Sequence, residues 1–292
     1  MGNEEEQGEE VEGALHGSKE VCALETLMGG RGGTLFLCAV GGNSGYIYTM
    51  CLIALAYRQH PRYPLVVMAN RDEFLDRAAE PAHFWADAPH VLAGRDLRAG
   101  GTWMGITRQG RFAALTNHRD LRRPLVEGPS RGQLVREALE QDIAPGTTAT
   151  YAGLNLIHGT VDDLRYLNNI TPHHQPLEPG IHGLSNALLN TPWPKVQRAT
   201  QGMEEVLSSR QDKLIEALFE LLSDEATAAD EHLPDTGLGL PQERALSSIF
   251  IRTPGYGTRC STVVLVDTNG RVHFQERSWP DGHRVVQEFN MG

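Results

Sequence analysis

The chain alternates between short unbroken apolar runs, amphipathic stripes with a 3.6-residue period, and clusters of turn residues. Residues 51–57 and 65–69 are two apolar runs separated by a loop carrying Pro61 and Pro64, which predicts a first hairpin. Residues 102–107 and 111–117 predict two more strands, with Gln109-Gly110 as the tight turn between them. Four strands are therefore expected before any helix. Ser130 is a good N-cap for a first helix whose Leu134, Val135, Ala138 and Leu139 share one face. A second strand pair is expected at 151–158 and 164–168, joined around 159–163. Helices then resume. Pro194 suits a first helical position ahead of the Val196, Ala199, Met203 and Val206 stripe, and Leu214, Ile215, Leu218, Leu221 and Leu222 mark another. Strands return at 247–251, 262–266 and 272–276, with Asn269-Gly270 as the strongest hairpin signal in the chain. Mostly local hairpins in the order strands, helix, strands, helices, strands argue for an α+β layered domain and against a parallel βαβ fold. No G-x-G-x-x-G follows a strand, so a dinucleotide fold has no support.

Residues 1–49 differ in kind. They hold eight acidic residues against Lys19 and Arg31 and show no sustained period, so they carry −6 of the net charge of −11. They read as a disordered extension that arises from a start placed upstream of Met50, with a cleaved propeptide as the second explanation. The expected domain is 50–292. The 40% hydrophobic and 22% charged content of the 292-residue chain is that of an ordinary globular protein.

A net charge of −11 argues against a nucleic-acid groove. Arg119, Arg122 and Arg123 cluster in an expected loop and read as a solvated face. Cys22, Cys38, Cys51 and Cys260 show neither zinc spacing nor the density of a disulfide-stapled domain. The acidic start lacks the basic n-region of a secretory signal, and the longest apolar run near it, 34–40, is far short of the roughly 20 residues that span a bilayer. A soluble cytoplasmic protein with no membrane span is expected. The adjacent His173-His174 pair should diverge, so no metal site is expected there.

Cys51 is the first chemical candidate. If Met50 starts the chain and is removed, Cys51 bears both a thiol and a free α-amine. Their reference pKa values, about 8.5 and about 7.7–8, let the amine take the thiol proton. A free cysteine in an apolar strand is more commonly a small buried hydrophobe. Asn70-Arg71-Asp72-Glu73 reads as a polar turn that closes the second strand, and its Arg-Asp pair could lower the pKa of a nearby thiol. Cys260 is expected to be a core thiol, although a neighbouring strand would bring it towards Cys51.

Met50-Cys51, Asn70-Arg71-Asp72-Glu73, Gly100-Gly101-Thr102-Trp103, Leu115-Thr116-Asn117, Ser130-Arg131-Gly132, Gly183-Leu184-Ser185-Asn186, Thr191-Pro192-Trp193-Pro194-Lys195-Val196 and Tyr256-Gly257-Thr258-Arg259 follow one another in the chain. In content and order they resemble the signature blocks of the NRDE-motif family, the proteins related to transport and Golgi organisation protein 2. The resemblance spans nearly all of residues 50–292 and none of 1–49. It implies an N-terminal-nucleophile hydrolase-like fold, a four-layer αββα sandwich of two antiparallel sheets between helical layers. By analogy with the wider cholylglycine-hydrolase group, it implies a site made of Cys51, Arg71, Asp72, Asn117, Asn186 and Arg259. Asn117 or Asn186 would stabilise an oxyanion, Arg71 and Asp72 would hold the nucleophile, and Arg259 would sit near it or meet an anionic group. The family's associations imply intracellular haem or acyl-lipid trafficking on this scaffold. The alternative is an active amidohydrolase or acyl-transfer enzyme using Cys51. Hydrolysis would need no cofactor. Haem or acyl-CoA is the expected small-molecule cargo or substrate, although none of the four cysteines precedes a proline as in the short haem-contact motif.

Overall fold

The structure is a computed structural model that describes residues 50–124, 126–209 and 213–292. The expected extension, 1–49, lies outside the described residues. The strands are β1 (Met50–Tyr57), β2 (Leu65–Phe74), β3 (Ala79–Trp85), β4 (Ala88–Asp96), β5 (Met104–Thr107), β6 (Arg111–Asn117), β7 (Leu154–Thr160), β8 (Asp163–Asn168), β9 (His173–Pro176), β10 (Gly180–Leu184), β11 (Arg252–Thr253), β12 (Tyr256–Val266), β13 (Arg271–Ser278) and β14 (Arg284–Asn290). The helices are α1 (Arg131–Glu140), α2 (Pro194–Ser208), α3 (Leu214–Leu222) and α4 (Leu240–Ala245). One sheet runs β10-β1-β2-β12-β13-β14, with β11 beside β12, and the other runs β3-β4-β5-β6-β7-β8-β9. Every pairing is antiparallel.

Strand alternation explains why β1 and β2 read as unbroken apolar runs: both of their faces are covered. Ile53, Leu55, Leu65 and Val67 pack against Met104, Phe112 and Ile157 of the second sheet. Leu52, Ala54, Val66 and Met68 pack on the opposite face against Val196, Ala199 and Met203 of α2 and Leu218 and Leu222 of α3. The Leu134, Val135, Ala138 and Leu139 stripe of α1 covers the far face of the second sheet over Ala113, Leu115 and Leu156. These layers make the αββα sandwich that the resemblance implies.

Several boundaries differ from expectation. Six strands precede the first helix, because β3 and β4 lie in the stretch between β2 and β5. Asn70-Arg71-Asp72-Glu73 does not close β2 as a turn. All four residues remain paired inside it, Asn70, Arg71 and Asp72 with both β1 and β12 and Glu73 with β12. Residues 247–251 form no strand, although Ile249, Phe250 and Ile251 are buried. Ser130 sits at the N-cap of α1, but its hydroxyl makes no capping bond. That helix start is instead pinned by glycine. A Cβ on Gly101 would fall on the Gly132 carbonyl and 2.7 Å from Gln133 N, and Thr102 N donates to Gly132 O at 3.1 Å. Two of the signature blocks therefore meet backbone to backbone. Among the described residues, no helix is long and apolar enough to cross a membrane.

Candidate active site

A cavity of about 210 Å³ opens where the two sheets meet at the start of β1. Cys51 belongs to the inter-sheet face shared by Ile53 and Leu55, so its thiol lies at the cavity while Met50 and Leu52 turn to the helical side. Arg71 is the register partner of Cys51 on β2, and Cys260 is the partner of Arg71 on β12. The cavity wall also includes Glu73 and Arg77, Asp96 from β4, Asn117 from β6, Arg131 and Gly132 at the start of α1, Glu276, and the indoles of Trp103 and Trp279.

The charges are interleaved. Arg71 Nη2 lies 3.5 Å from Asp96 Oδ2 and 3.7 Å from Glu73 Oε2, and Arg77 Nε donates to Asp96 at 2.6 Å. Burial pushes the Glu73 and Glu276 carboxyls above their ordinary range. The start of α1 adds the positive end of a helix dipole to the same wall.

The cysteine is strongly perturbed. Burial, followed by the Asp72 carboxylate, pushes the Cys51 thiol up to about 12, against the pull of the Asp72 backbone N–H and the Arg71 guanidinium. In a chain that continues through Met50 this burial favours the protonated thiol over the nucleophilic thiolate. Met50 N donates to the Tyr256 hydroxyl at 2.6 Å, and Ser185 Oγ donates to the Cys51 carbonyl at 3.0 Å.

Of the residues singled out by sequence, Cys51, Arg71, Asn117 and Arg259 meet at this cavity. Asp72 reaches its edge, but the carboxylate belongs to the opposite face of the sheet. There it accepts from Thr258 Oγ1 at 2.6 Å and feels the Lys195 ammonium. Asn186 is buried outside the lining, and its Nδ2 donates to the Asn117 carbonyl at 2.9 Å. Arg259 sits at a β-bulge, where the register of β12 shifts between Thr258 and Cys260. Its Nη1 gathers the carbonyls of Phe74, Leu75 and Arg77 at 2.9–3.0 Å, which clamps the end of β2.

Arg119 is no solvated face. It is buried, ion-paired to Glu243 at 2.7 Å and stacked over Trp193, while Arg122 and Arg123 are exposed as expected. Cys51 and Cys260 are both free. With β2 between their strands, their Cα atoms are roughly 10 Å apart, beyond disulfide reach. His174 faces the His158 ring and His173 faces Tyr166. Among the described residues, no group of three or more His, Cys, Asp or Glu is placed to hold a metal ion. Sequence reasoning assigned no role to Lys195, Tyr256, Thr258, Asp96 or Glu276. Lys195, Tyr256 and Thr258 do lie within the signature blocks, and that was the available signal.

Fold and site together define a four-layer α+β protein with a charged cavity at the start of β1, lined by Cys51 and Cys260. The chain belongs to the Transport and Golgi organisation 2 family, whose profile matches residues 50–281. It is 35% identical over 262 residues to the Transport and Golgi organization protein 2 homolog of Homo sapiens, covering 80% of this chain and 94% of that protein. It is 28% identical over 263 residues to the Drosophila melanogaster protein of that name, covering 78% and 92%. Among solved structures it is similar to a Caenorhabditis elegans N-acylethanolamine-hydrolyzing acid amidase ortholog, with 12% identity, a TM-score of 0.42, and coverage of 74% of this chain and 92% of that one. It is also similar to a conjugated bile acid hydrolase from Clostridium perfringens, with 10% identity, a TM-score of 0.35, and coverage of 85% and 86%.

Proposed function

We propose that this chain, once Cys51 is its first residue, cleaves or transfers the acyl group of a small amide or thioester with Cys51 as nucleophile. The observation that carries the reading is the convergence of Cys51, Arg71 and Asn117, from three strands, on one cavity of modest size with charged side chains in its wall. The α-amine takes the thiol proton, and the thiolate sulfur bonds to the acyl carbon while the carbonyl pair moves to oxygen. Asn117 stabilises that oxyanion, a contribution of about 2.7–4 kcal/mol where such donors have been measured. The tetrahedral centre collapses, and the leaving amine or thiol departs with the proton from the ammonium. Water or another acceptor then releases the acyl group from sulfur. With Met50 in place there is no amine to begin this cycle, so the described form is latent.

A test compares chains beginning at Cys51, wild type and Cys51→Ala, with the full chain. The substrates are acyl-CoA thioesters, read by released thiol, and N-acyl p-nitroanilides. Turnover and an acyl-enzyme mass are expected only for wild type beginning at Cys51. Equal behaviour of wild type and Cys51→Ala refutes the reading.

A second reading is the trafficking of haem or acyl lipid in the cell; the names of the relatives speak of transport and do not name a cargo. Trp103 and Trp279 in the cavity wall offer an apolar seat for an acyl chain. The cavity, at about 210 Å³ and with several charged side chains in its wall, supports this less than it supports chemistry on a small acyl group, since ligand pockets commonly run about 300–1,000 Å³. Haemin titration followed by Soret absorbance and binding of a fluorescent acyl-CoA test it. Saturable binding that is unchanged in Cys51→Ala would favour carriage over catalysis.

A further inference from the structure

Behind Cys51, on the helical side of the sheet, lies a second polar cluster that the reaction above does not use. Asp72, Thr258 and Met50 are register neighbours on β2, β12 and β1, and Lys195 comes over them from the first turn of α2. Asp72 is fully buried. Its Oδ1 accepts from Thr258 at 2.6 Å, and its Oδ2 has no partner. Lys195 is 2% exposed, and its Nζ has no partner either. The two do not form a direct ion pair. The neighbouring Arg119 is committed to Glu243 of α4, and Glu243 in turn takes the Thr236 hydroxyl. An unpartnered buried ammonium facing an unpartnered carboxylate oxygen is costly, and such pairs call for a further polar occupant.

Met50 supplies the place for one. Its side chain fills an apolar niche with Leu246, Ile251 and Tyr256, and its N–H points at the Tyr256 hydroxyl. When Met50 is gone the chain starts one residue later, and the niche beside Tyr256, Asp72 and Lys195 opens to the new amine and to water.

We propose that this chamber seats the α-amino group of Cys51, and that Lys195 is a positioning residue whose positive charge keeps the resting amine unprotonated, so that it can take the thiol proton, and stabilises the thiolate that results. The proposal rests on the reading of Cys51 as nucleophile. Asp72 opposes Lys195 in this role. The other charged or titratable groups that reach the site are Arg71 and Glu73 on β2, Tyr256 on β12, Arg119 after β6 and Glu243 on α4. The signs agree with burial: Lys195 is pushed below its ordinary value and Asp72 above its own, each chiefly by desolvation.

The test uses the chain beginning at Cys51. The rate of Cys51 alkylation by iodoacetamide is followed from pH 5 to 9 by peptide mass spectrometry, and condensation with 2-cyanobenzothiazole confirms that amine and thiol react together. Wild type is expected to show an inflection below that of a free N-terminal cysteine. Lys195→Met should move it up by about one pH unit, a roughly tenfold slower reaction at neutral pH, and Lys195→Arg should restore it. Asp72→Asn should move it down, an opposite shift that a purely structural role would not produce and that stays readable if Lys195→Met does not fold. Superimposable profiles for wild type, folded Lys195→Met and Asp72→Asn overturn the role of Lys195 and leave the nucleophile standing. A wild-type Cys51 that resists alkylation across the range overturns both.

Discussion

Asn70 opens the tetrapeptide through which the sequence points at the site, yet its side chain turns away from the cavity. It is fully buried, and its Nδ2 donates to Leu222 O at 2.9 Å and Ile249 O at 2.8 Å. Leu222 ends α3, so its carbonyl is one of those a helix leaves without an internal partner, and Ile249 lies in the irregular stretch after α4. One amide thus ties the central strand to two pieces of the helical layer. Asn70→Ala strands two buried carbonyls at about 1–3 kcal/mol each, for a loss of roughly 2–6 kcal/mol out of the 5–15 typical of a whole domain. Asn70→Asp keeps the shape but sets a negative oxygen against both carbonyls, so at pH 7 it should cost more than Ala. Its carboxyl would carry a raised pKa in the fold. The native state then takes up protons more readily than the unfolded state, and lowering the pH from 7 to 5 should narrow the gap as the neutral acid regains one donor. Urea unfolding followed by tryptophan fluorescence reads both, with midpoint shifts on the order of 1 M. The reasoning fails if Asn70→Ala lies within about 0.5 kcal/mol of wild type, or if Asn70→Asp matches wild type at pH 7.

Removing Glu243 as Glu243→Ala leaves the Arg119 guanidinium buried without its counter-charge. It should cost about 3–5 kcal/mol in urea unfolding, and a loss under about 1 kcal/mol would contradict the pairing. Gly101→Ala drives a Cβ into the Gly132 backbone and should destabilise by about 1–3 kcal/mol or more, with a wild-type melting temperature as the refuting result. His158 is buried with neither ring nitrogen partnered. Burial, helped by His174, pushes its pKa down to about 4. Its folded value lies below the unfolded one of about 6.5, so the unfolded chain binds the proton first and this residue removes stability as pH falls from about 6.5 to 4. His158→Gln should flatten the melting-temperature curve over that window, and curves parallel to wild type would refute the assignment.

The apolar runs and stripes of this chain determined its class and most of its interior. β1, β2, β5, β6, β7, β8, β12 and β13 all coincide with runs visible in the sequence, as do the buried faces of α1, α2 and α3. What periodicity did not disclose were the four sheet edges, β3, β9, β10 and β14, together with β4 and the two-residue β11. The reason is physical. An edge strand pairs on one side only and faces water, so it tolerates the Pro81 of β3, the His173 and Pro176 ends of β9 and the glycines of β10, where an interior strand would need a continuous apolar run. The signature blocks likewise contain Cys51, Arg71, Asn117 and Arg259, which line one cavity. They could not say on which face of a strand each side chain falls. Alternation along β2 sends Arg71 to the cavity and Asp72 to the helical side, and only the packing of α2 over that face brings Lys195 to Asp72. Tyr256 reaches the Met50 amide across 206 residues of sequence because β12 returns to lie against β2. Contacts of that separation are set by sheet order and register, which local pattern does not encode.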